Sequence, residues 1–158
     1  MQNNLLKALK GITGLINKLE NVRLEYYNMK KEQMEYIAFE GSVYTIEWYY
    51  NETNRSDVLE DFEELSNGDK KNLLMLFERM GNDGVISNKT KFRNEGDEIW
   101  AFKPKQGRFL CFFHVGKKII VLSSYKKQGD KLPKKEKKKA ENRRADYIAR
   151  VKKGDYYG

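Results

Sequence analysis

The residues best suited to chemistry in this chain are cations, and most of them lie in its last third. The stretch "LSSYKKQGDKLPKKEKKKAENRRADYI", residues 122–148, begins as the end of an apolar strand and turns cationic at Lys126 and Lys127. Ammonium and guanidinium groups bind phosphate through charge-assisted hydrogen bonds. The stretch therefore indicates a site that holds a strongly anionic partner.

The charge of the chain is divided unevenly. The net charge is +8, but residues 1–102 hold 13 Lys/Arg against 18 Asp/Glu, whereas residues 103–153 hold 18 against 4. Because each phosphate that a protein neutralises releases condensed counterions, a local cationic excess is typical of nucleic-acid binding. The alternative is a lysine-rich C-terminal helix that only keeps a small protein in solution.

Histidine and cysteine limit the other chemistries. His114 is the only imidazole, and an unperturbed histidine pKa suits general base catalysis near neutral pH, although a lone histidine is more often structural. The single Cys111 lies inside an apolar run, so we expect no intramolecular disulfide, no Cys/His metal cluster and no cofactor. A reducing, cytoplasmic location follows as an expectation.

The N-terminal segment carries an apolar stripe. Large apolar residues at helical spacing predict an amphipathic helix from residue 3 to about residue 24, and a Glu/Lys/Met-rich segment continues it to about residue 38. Lys7, Lys10 and Lys18 interrupt the apolar run, so no membrane span is predicted. The stripe consists of Leu5, Leu9, Ile12, Ile16 and Leu19.

The rest of the chain predicts a small α+β domain. A β-branched and aromatic segment favours a strand over about 42–50, and residues 54–84 favour a helical hairpin. Three further strand candidates follow, the last two joined across Gly116 and Lys117, and then a basic helix from Lys134 to about Lys152. We expect an antiparallel or mixed sheet of about four strands with helices on one face. The predicted division is a helical extension over 1–40 and a domain over 41–153.

Two blocks of this domain resemble the HigB/RelE-like toxins of toxin–antitoxin modules, specifically their phage-derived HigB-like branch, over roughly residues 44–150. The family pattern of leucine, any residue, glutamate, leucine and arginine is similar to "IWAFK", with Ala101 in place of the glutamate and Lys103 in place of the arginine. The arginine that follows in the family corresponds to Arg108 in "GRFLCFF". The second block, "YKKQGDKLPKKE", places Tyr125 at the family's aromatic residue and Lys127 at its first lysine.

The resemblance implies a RelE-like fold and an endoribonuclease that cuts mRNA, commonly on the ribosome, with an antitoxin protein as partner. RNA can be cleaved without a metal ion when its own 2′-hydroxyl attacks the adjacent phosphate. Arg108 would then hold the phosphate and stabilise the transition state, while Lys127 and Lys103 add charge and donate the leaving-group proton. The candidate catalytic residues are Arg108, Lys127, Lys103, Lys126, His114 and Tyr125. The candidate RNA-binding residues are Lys105, Lys131, Lys134, Lys135, Lys138 and Arg143.

Other interpretations stay open at this point. Arg108 could instead pair with a carboxylate such as Glu98, and Tyr125 could pack in the core instead of stacking on a base. The chain could bind RNA without cutting it, because substituting lysine for arginine at position 103 loses the planar fork that matches phosphate. It could also be a phage or plasmid structural or interaction protein that uses the N-terminal helix to form oligomers. The N-terminal stripe could cover the chain's own domain, a second copy in a homo-oligomer, or an antitoxin.

Overall fold

The computed structural model describes residues 2–157, and over residues 27–35 it describes the backbone alone. The chain forms two compact units, Met1–Glu35 and Tyr36–Gly158. Helix α1, Gln2–Tyr36, forms the first unit, except that its last residue, Tyr36, belongs to the second. Its large apolar side chains from Leu5 to Leu24 are each at least half exposed. Among the described residues, no helix combines the length and the apolarity that crossing a bilayer requires.

The second unit is built on a six-stranded mixed sheet. Its strands are β1 (Ile37–Glu40), β2 (Thr45–Trp48), β3 (Phe92–Gly96), β4 (Ile99–Phe102), β5 (Gly107–His114) and β6 (Lys118–Lys126). They lie in the order β1-β2-β6-β5-β4-β3, and only β2 and β6 run parallel. Gly116 and Lys117 have φ values of 80° and 59° in the connection from β5 to β6, which confirms the predicted tight hairpin.

Three helices complete the second unit: α2 (Asp57–Glu63), α3 (Asn67–Asp83) and α4 (Lys134–Lys153). Ser56 and Ser66 cap α2 and α3 by accepting hydrogen bonds from the amides of Leu59 and Asp69. Gly84 ends α3 in the left-handed conformation with a φ of 76°. Pro133 is the residue that precedes α4, where its fixed φ suits a helix start.

The sheet has helices on both faces. Phe77 of α3 packs edge-on against Phe102, which lies opposite Phe109 in the sheet. Phe112, three positions further along β5, contacts Tyr147 of α4. Because side chains alternate along a strand, Phe109 and Phe112 point to opposite faces, so α3 covers one face and α4 the other. The buried core contains the rings on both sides of the sheet.

The α+β class is confirmed, whereas the expected number of about four strands is wrong. The structure has six strands because two short edge strands, β1 and β3, were not predicted. The β1 residues follow a helix directly, and β3, "FRNEG", is too polar to suggest a strand. Edge strands need apolar residues on one face only, so their sequences resemble loops. The expectation that all helices pack on one face of the sheet is also wrong, because α4 packs on the face opposite α3.

Candidate functional site

Arg108 lies at the beginning of β5 on the α4 face of the sheet. Arg108 is only 8% exposed. Its Nη1 donates hydrogen bonds to the carbonyl oxygens of Lys105 and Gly107 at 2.8 and 2.9 Å. These two bonds fix the guanidinium plane. Among the described residues, Nε and Nη2 have no hydrogen-bond partner, so both nitrogens are free to donate hydrogen bonds to a ligand. The alternative partner, Glu98, pairs with Arg144 instead.

The edge strand β3 adds two charged residues that were not predicted. Arg93 lies opposite Ala101 in the pairing of β3 with β4, which places it on the same face as Arg108. It donates from Nε and Nη2 to the two carboxylate oxygens of Glu95 at 3.1 and 3.4 Å. The Glu95 side chain is 11% exposed, so it is a recessed carboxylate beside a surface of cations.

The end of β6 and the residue that follows it form the other side of this site. Tyr125 lies directly opposite Arg108 in the pairing of β5 with β6, and both side chains are at least partly buried. Lys127 is half-exposed, and its Nζ lies 3.3 Å from the carboxylate of Asp130. Its backbone amide donates to the carbonyl of Gln106 at 2.6 Å, which ties it to the connection before β5. Lys126 is exposed at the end of β6.

The cations of this group influence one another. Burial, Arg93 and Arg108 lower the pKa of Lys103. Burial also lowers the pKa of Arg108, with Arg93 acting in the same direction. Burial and the nearby Glu95 raise the pKa of Tyr125. We name this group the cationic cluster, and it consists of Arg93, Lys103, Arg108 and Lys127 together with Glu95 and Tyr125.

His114 lies at the opposite end of β5 from Arg108. The two residues are six positions apart on an extended strand, which corresponds to roughly 20 Å. His114 packs edge-on against the ring of Tyr147 with centroids 5.0 Å apart. Burial and Lys118 lower its pKa. The structure therefore does not bring His114 together with the cationic cluster.

The candidate RNA-binding residues fall into two groups. Lys105, Lys131, Lys134, Lys135 and Lys138 are exposed, and the last four lie on the connection after β6 and the first half of α4. Arg143 is different, because its guanidinium donates to the carbonyl of Leu122 at 2.8 Å and to Asp57 at 2.7 Å. Its side chain is 16% exposed, so Arg143 joins α4 to β6 and α2.

A groove of about 490 Å³ lies beside the α2–α3 connection and the ends of β5 and β6. Its wall carries the carboxylates of Asp61, Glu64 and Asp69, and Ser124 donates a hydrogen bond to Asp61 at 2.7 Å. Three carboxylates repel a phosphate backbone, so this groove does not suit the chemistry that the cationic cluster suits. The described residues also contain no group of three or more histidine, cysteine and acidic side chains placed to hold a metal ion.

The arrangement defines a class of protein before any comparison is made: a small α+β domain with a cluster of cations at one end of its sheet. A family model described as "Phage derived protein Gp49-like (DUF891)" matches residues 60–145. This match spans more than half of the chain and contains the whole cationic cluster, so the chain belongs to the Gp49-like family. That family is a RelE/HigB-like toxin family associated with toxin–antitoxin modules. No curated protein matches the chain.

Proposed function

We propose that this protein is an endoribonuclease toxin of the HigB-like branch that cuts mRNA at the ribosome and is held inactive by an antitoxin. The observation that carries the proposal is the cationic cluster. Four cations stand around one recessed carboxylate and one tyrosine at one end of the sheet. Such a site suits a phosphate that carries an extra negative charge in the transition state.

In the proposed reaction, the 2′-hydroxyl oxygen of the RNA attacks the adjacent phosphorus. Glu95 accepts the proton of this hydroxyl, because it is a carboxylate beside the phosphate site. The free side of the Arg108 guanidinium binds the non-bridging oxygens, whose charge increases as the new bond forms. The products are a 2′,3′-cyclic phosphate and a free 5′-hydroxyl.

Lys103 is the best candidate for the acid that protonates the leaving 5′-oxygen. Burial and neighbouring cations lower its pKa, and an ammonium with a lowered pKa releases its proton more readily. Lys127 adds charge at the exposed edge of the site, and Tyr125 positions the substrate beside Arg108, whereas the predicted Lys126 lines the acidic groove and has no role in this reaction. These roles require no metal ion.

The exposed lysines after β6 give the protein a docking surface for RNA. Lys131, Lys134, Lys135 and Lys138 follow Lys127 along the chain and are exposed. Lysine contacts to phosphates position a protein on nucleic acid without reading its sequence. This property suits ribosomal RNA, where the toxin would meet mRNA in the cytoplasm.

The proposal is tested by mapping RNA ends. The full chain is induced in bacteria, and the purified protein is incubated with RNA and with translating ribosomes in the presence of a chelator. We expect new 5′-hydroxyl ends and matching 2′,3′-cyclic phosphates within mRNA. Cleavage that is absent in both settings, at protein concentrations that bind RNA, contradicts the proposal.

A second candidate is RNA binding without cleavage. It is favoured by Lys103, since a lysine cannot clamp phosphate with two parallel bonds as arginine does, and by Ala101, which removes the carboxylate of the family pattern. This protein would shift RNA in a gel and leave it intact. The position of Glu95 on β3 argues for catalysis, because Glu95 supplies the cationic cluster with a carboxylate where Ala101 replaces the glutamate of the family pattern.

A further inference from the structure

The apolar stripe of α1 follows a seven-residue repeat. Positions a of three successive heptads are Leu5, Ile12 and Leu19, and positions d are Ala8, Leu15 and Val22. Leu9 and Ile16 occupy the flanking position e. Apolar residues at a and d over three or more heptads are typical of a coiled coil, in which each side chain packs between those of a second helix.

These side chains are exposed in the structure. The seven large apolar residues of the repeat, which are Leu5, Leu9, Ile12, Leu15, Ile16, Leu19 and Val22, are between 50% and 68% exposed. The segment from Leu5 to Val22 is about 27 Å long at 1.5 Å per residue. An exposed apolar surface of this length marks an interaction site.

We infer that α1 pairs with α1 of a second copy of this chain as an antiparallel coiled coil. In one antiparallel register, Leu5 packs on Val22 of the second copy and Ile12 packs on Leu15. Leu9 then lies beside Ile16, so the apolar e positions of both helices also become buried. All large apolar side chains of the repeat are covered by residues of the same stripe.

The charges at the edges of the stripe select the antiparallel direction. In a parallel pair, Lys18 at position g lies beside Arg23 at position e of the second copy, which brings like charges together on both sides. In the antiparallel register, Lys18 lies opposite Gly11. A glycine leaves space for the lysine stem to lie over the apolar seam with its ammonium in water.

The association is tested on the full chain by light scattering and sedimentation over a range of concentrations. We expect twice the mass of the 18.7 kDa chain. Replacing Ile12 and Leu15 with aspartate puts charges in the centre of the seam and should raise the dimer dissociation constant at least about 100-fold. The matched control is Leu6→Asp with Leu24→Asp, because these leucines are 54% and 57% exposed on the same helix but lie outside the repeat.

A cross-linking experiment tests the direction. Leu5→Cys combined with Val22→Cys should form a disulfide-linked dimer, whereas Leu5→Cys alone should not, and the buried Cys111 does not compete. Cross-linking through Leu5→Cys alone shows a parallel pair and overturns the antiparallel assignment. The self-association is wrong if the chain stays monomeric at all concentrations. It is also wrong if the Leu6 and Leu24 control dissociates as readily as the Ile12 and Leu15 variant. Loss of antitoxin binding in a monomeric chain would assign the stripe to the antitoxin instead.

Discussion

The two ends of β5 differ in how their charges are satisfied, although both lie on the face that α4 covers. At the Arg108 end, the four cations of the cationic cluster meet only two carboxylates, those of Glu95 and Asp130. At the His114 end, charges and hydroxyls are paired: Tyr157 donates to the buried Glu47 at 2.7 Å and lies 2.6 Å from the hydroxyl of Tyr147. Lys118 donates to the same Tyr157 hydroxyl at 3.1 Å.

This difference distinguishes the proposed binding site from a structural network. A buried polar group that has all its partners holds the fold together, and an additional ligand finds nothing to bind. Cations that lower one another's pKa repel one another, and a bound anion relieves this repulsion. We therefore expect the Arg108 end, with its excess of cations, to bind the substrate, whereas the hydrogen-bonded network at the His114 end stabilises the domain.

The largest expected effect comes from Arg108→Ala. Removing the guanidinium should reduce RNA cleavage about 100- to 1,000-fold, which is the usual cost of losing one preorganised donor to a transition-state oxyanion, and should abolish growth arrest. Single-turnover cleavage and circular dichroism measure activity and folding together. His114→Gln on the same strand is the matched control and should cleave normally. Equal growth arrest by Arg108→Ala and wild type, at equal expression, would remove Arg108 from the site.

A smaller effect is expected from the docking lysines. Replacing Lys134, Lys135 and Lys138 with glutamine should weaken RNA binding and reduce the slope of log affinity against log salt by about one unit for each lost phosphate contact. Titrations at several salt concentrations measure the slope. Lys152 and Lys153, exposed at the other end of α4, provide the control pair. An unchanged slope after the first set of substitutions would leave these lysines with a role in solubility only.

Substitutions at the His114 end of β5 should change the stability of the domain and leave RNA cleavage unchanged. Tyr157→Phe removes the hydroxyl that bonds Glu47, and leaving a buried carboxylate short of a donor costs about 1–3 kcal/mol of unfolding free energy. Urea unfolding measures this loss, with Tyr44→Phe as control because the Tyr44 hydroxyl has no hydrogen bond among the described residues. Reduced cleavage by folded Tyr157→Phe protein would show that the two ends are coupled.

The smallest effect concerns His114 and pH. Burial and Lys118 lower its pKa in the folded state, so the unfolded chain binds its proton more readily. Stability should therefore fall as pH drops through the unfolded pKa of about 6.5, and the loss should level off below the folded pKa. His114→Gln should flatten this part of the stability curve without changing cleavage at neutral pH. A cleavage profile that follows the protonation of His114 would contradict the separation of the two ends.

The sequence predicted the elements whose apolar residues follow a clear period or form a continuous run. The stripes of α1 and α3, the apolar runs of β5 and β6, and the helix after Pro133 were all predicted, as was the α+β class. Strands β1 and β3 were missed because they are short and polar on one side. Within the predicted helical hairpin, the second helix begins at Asn67, where Ser66 caps it.

The site shows the same pattern. Arg108, Tyr125, Lys103 and Lys127 were named from the family blocks, and the structure places them close together. Arg93 and Glu95 were missed because their strand was missed; the pairing with β4 shows that Arg93 lies on the same face as Arg108, and Glu95 belongs to the group through its hydrogen bonds with Arg93. His114 was included because of its chemistry alone, and no sequence pattern gave its distance from the other candidates. Arg143 was grouped with the docking lysines because charge patterns do not distinguish exposed cations from those that join elements.

The parallel pairing of β2 with β6 has a consequence for the order in which the domain folds. Thr45 pairs with Lys118, about seventy residues further along the chain, so a long loop must close before this contact forms. Strands β3 to β6 are joined by short connections and pair with their neighbours in sequence, so they can form early as hairpins. We therefore expect the strands that carry the cationic cluster to assemble first, and the β1–β2 hairpin to join β6 in a later, slower step.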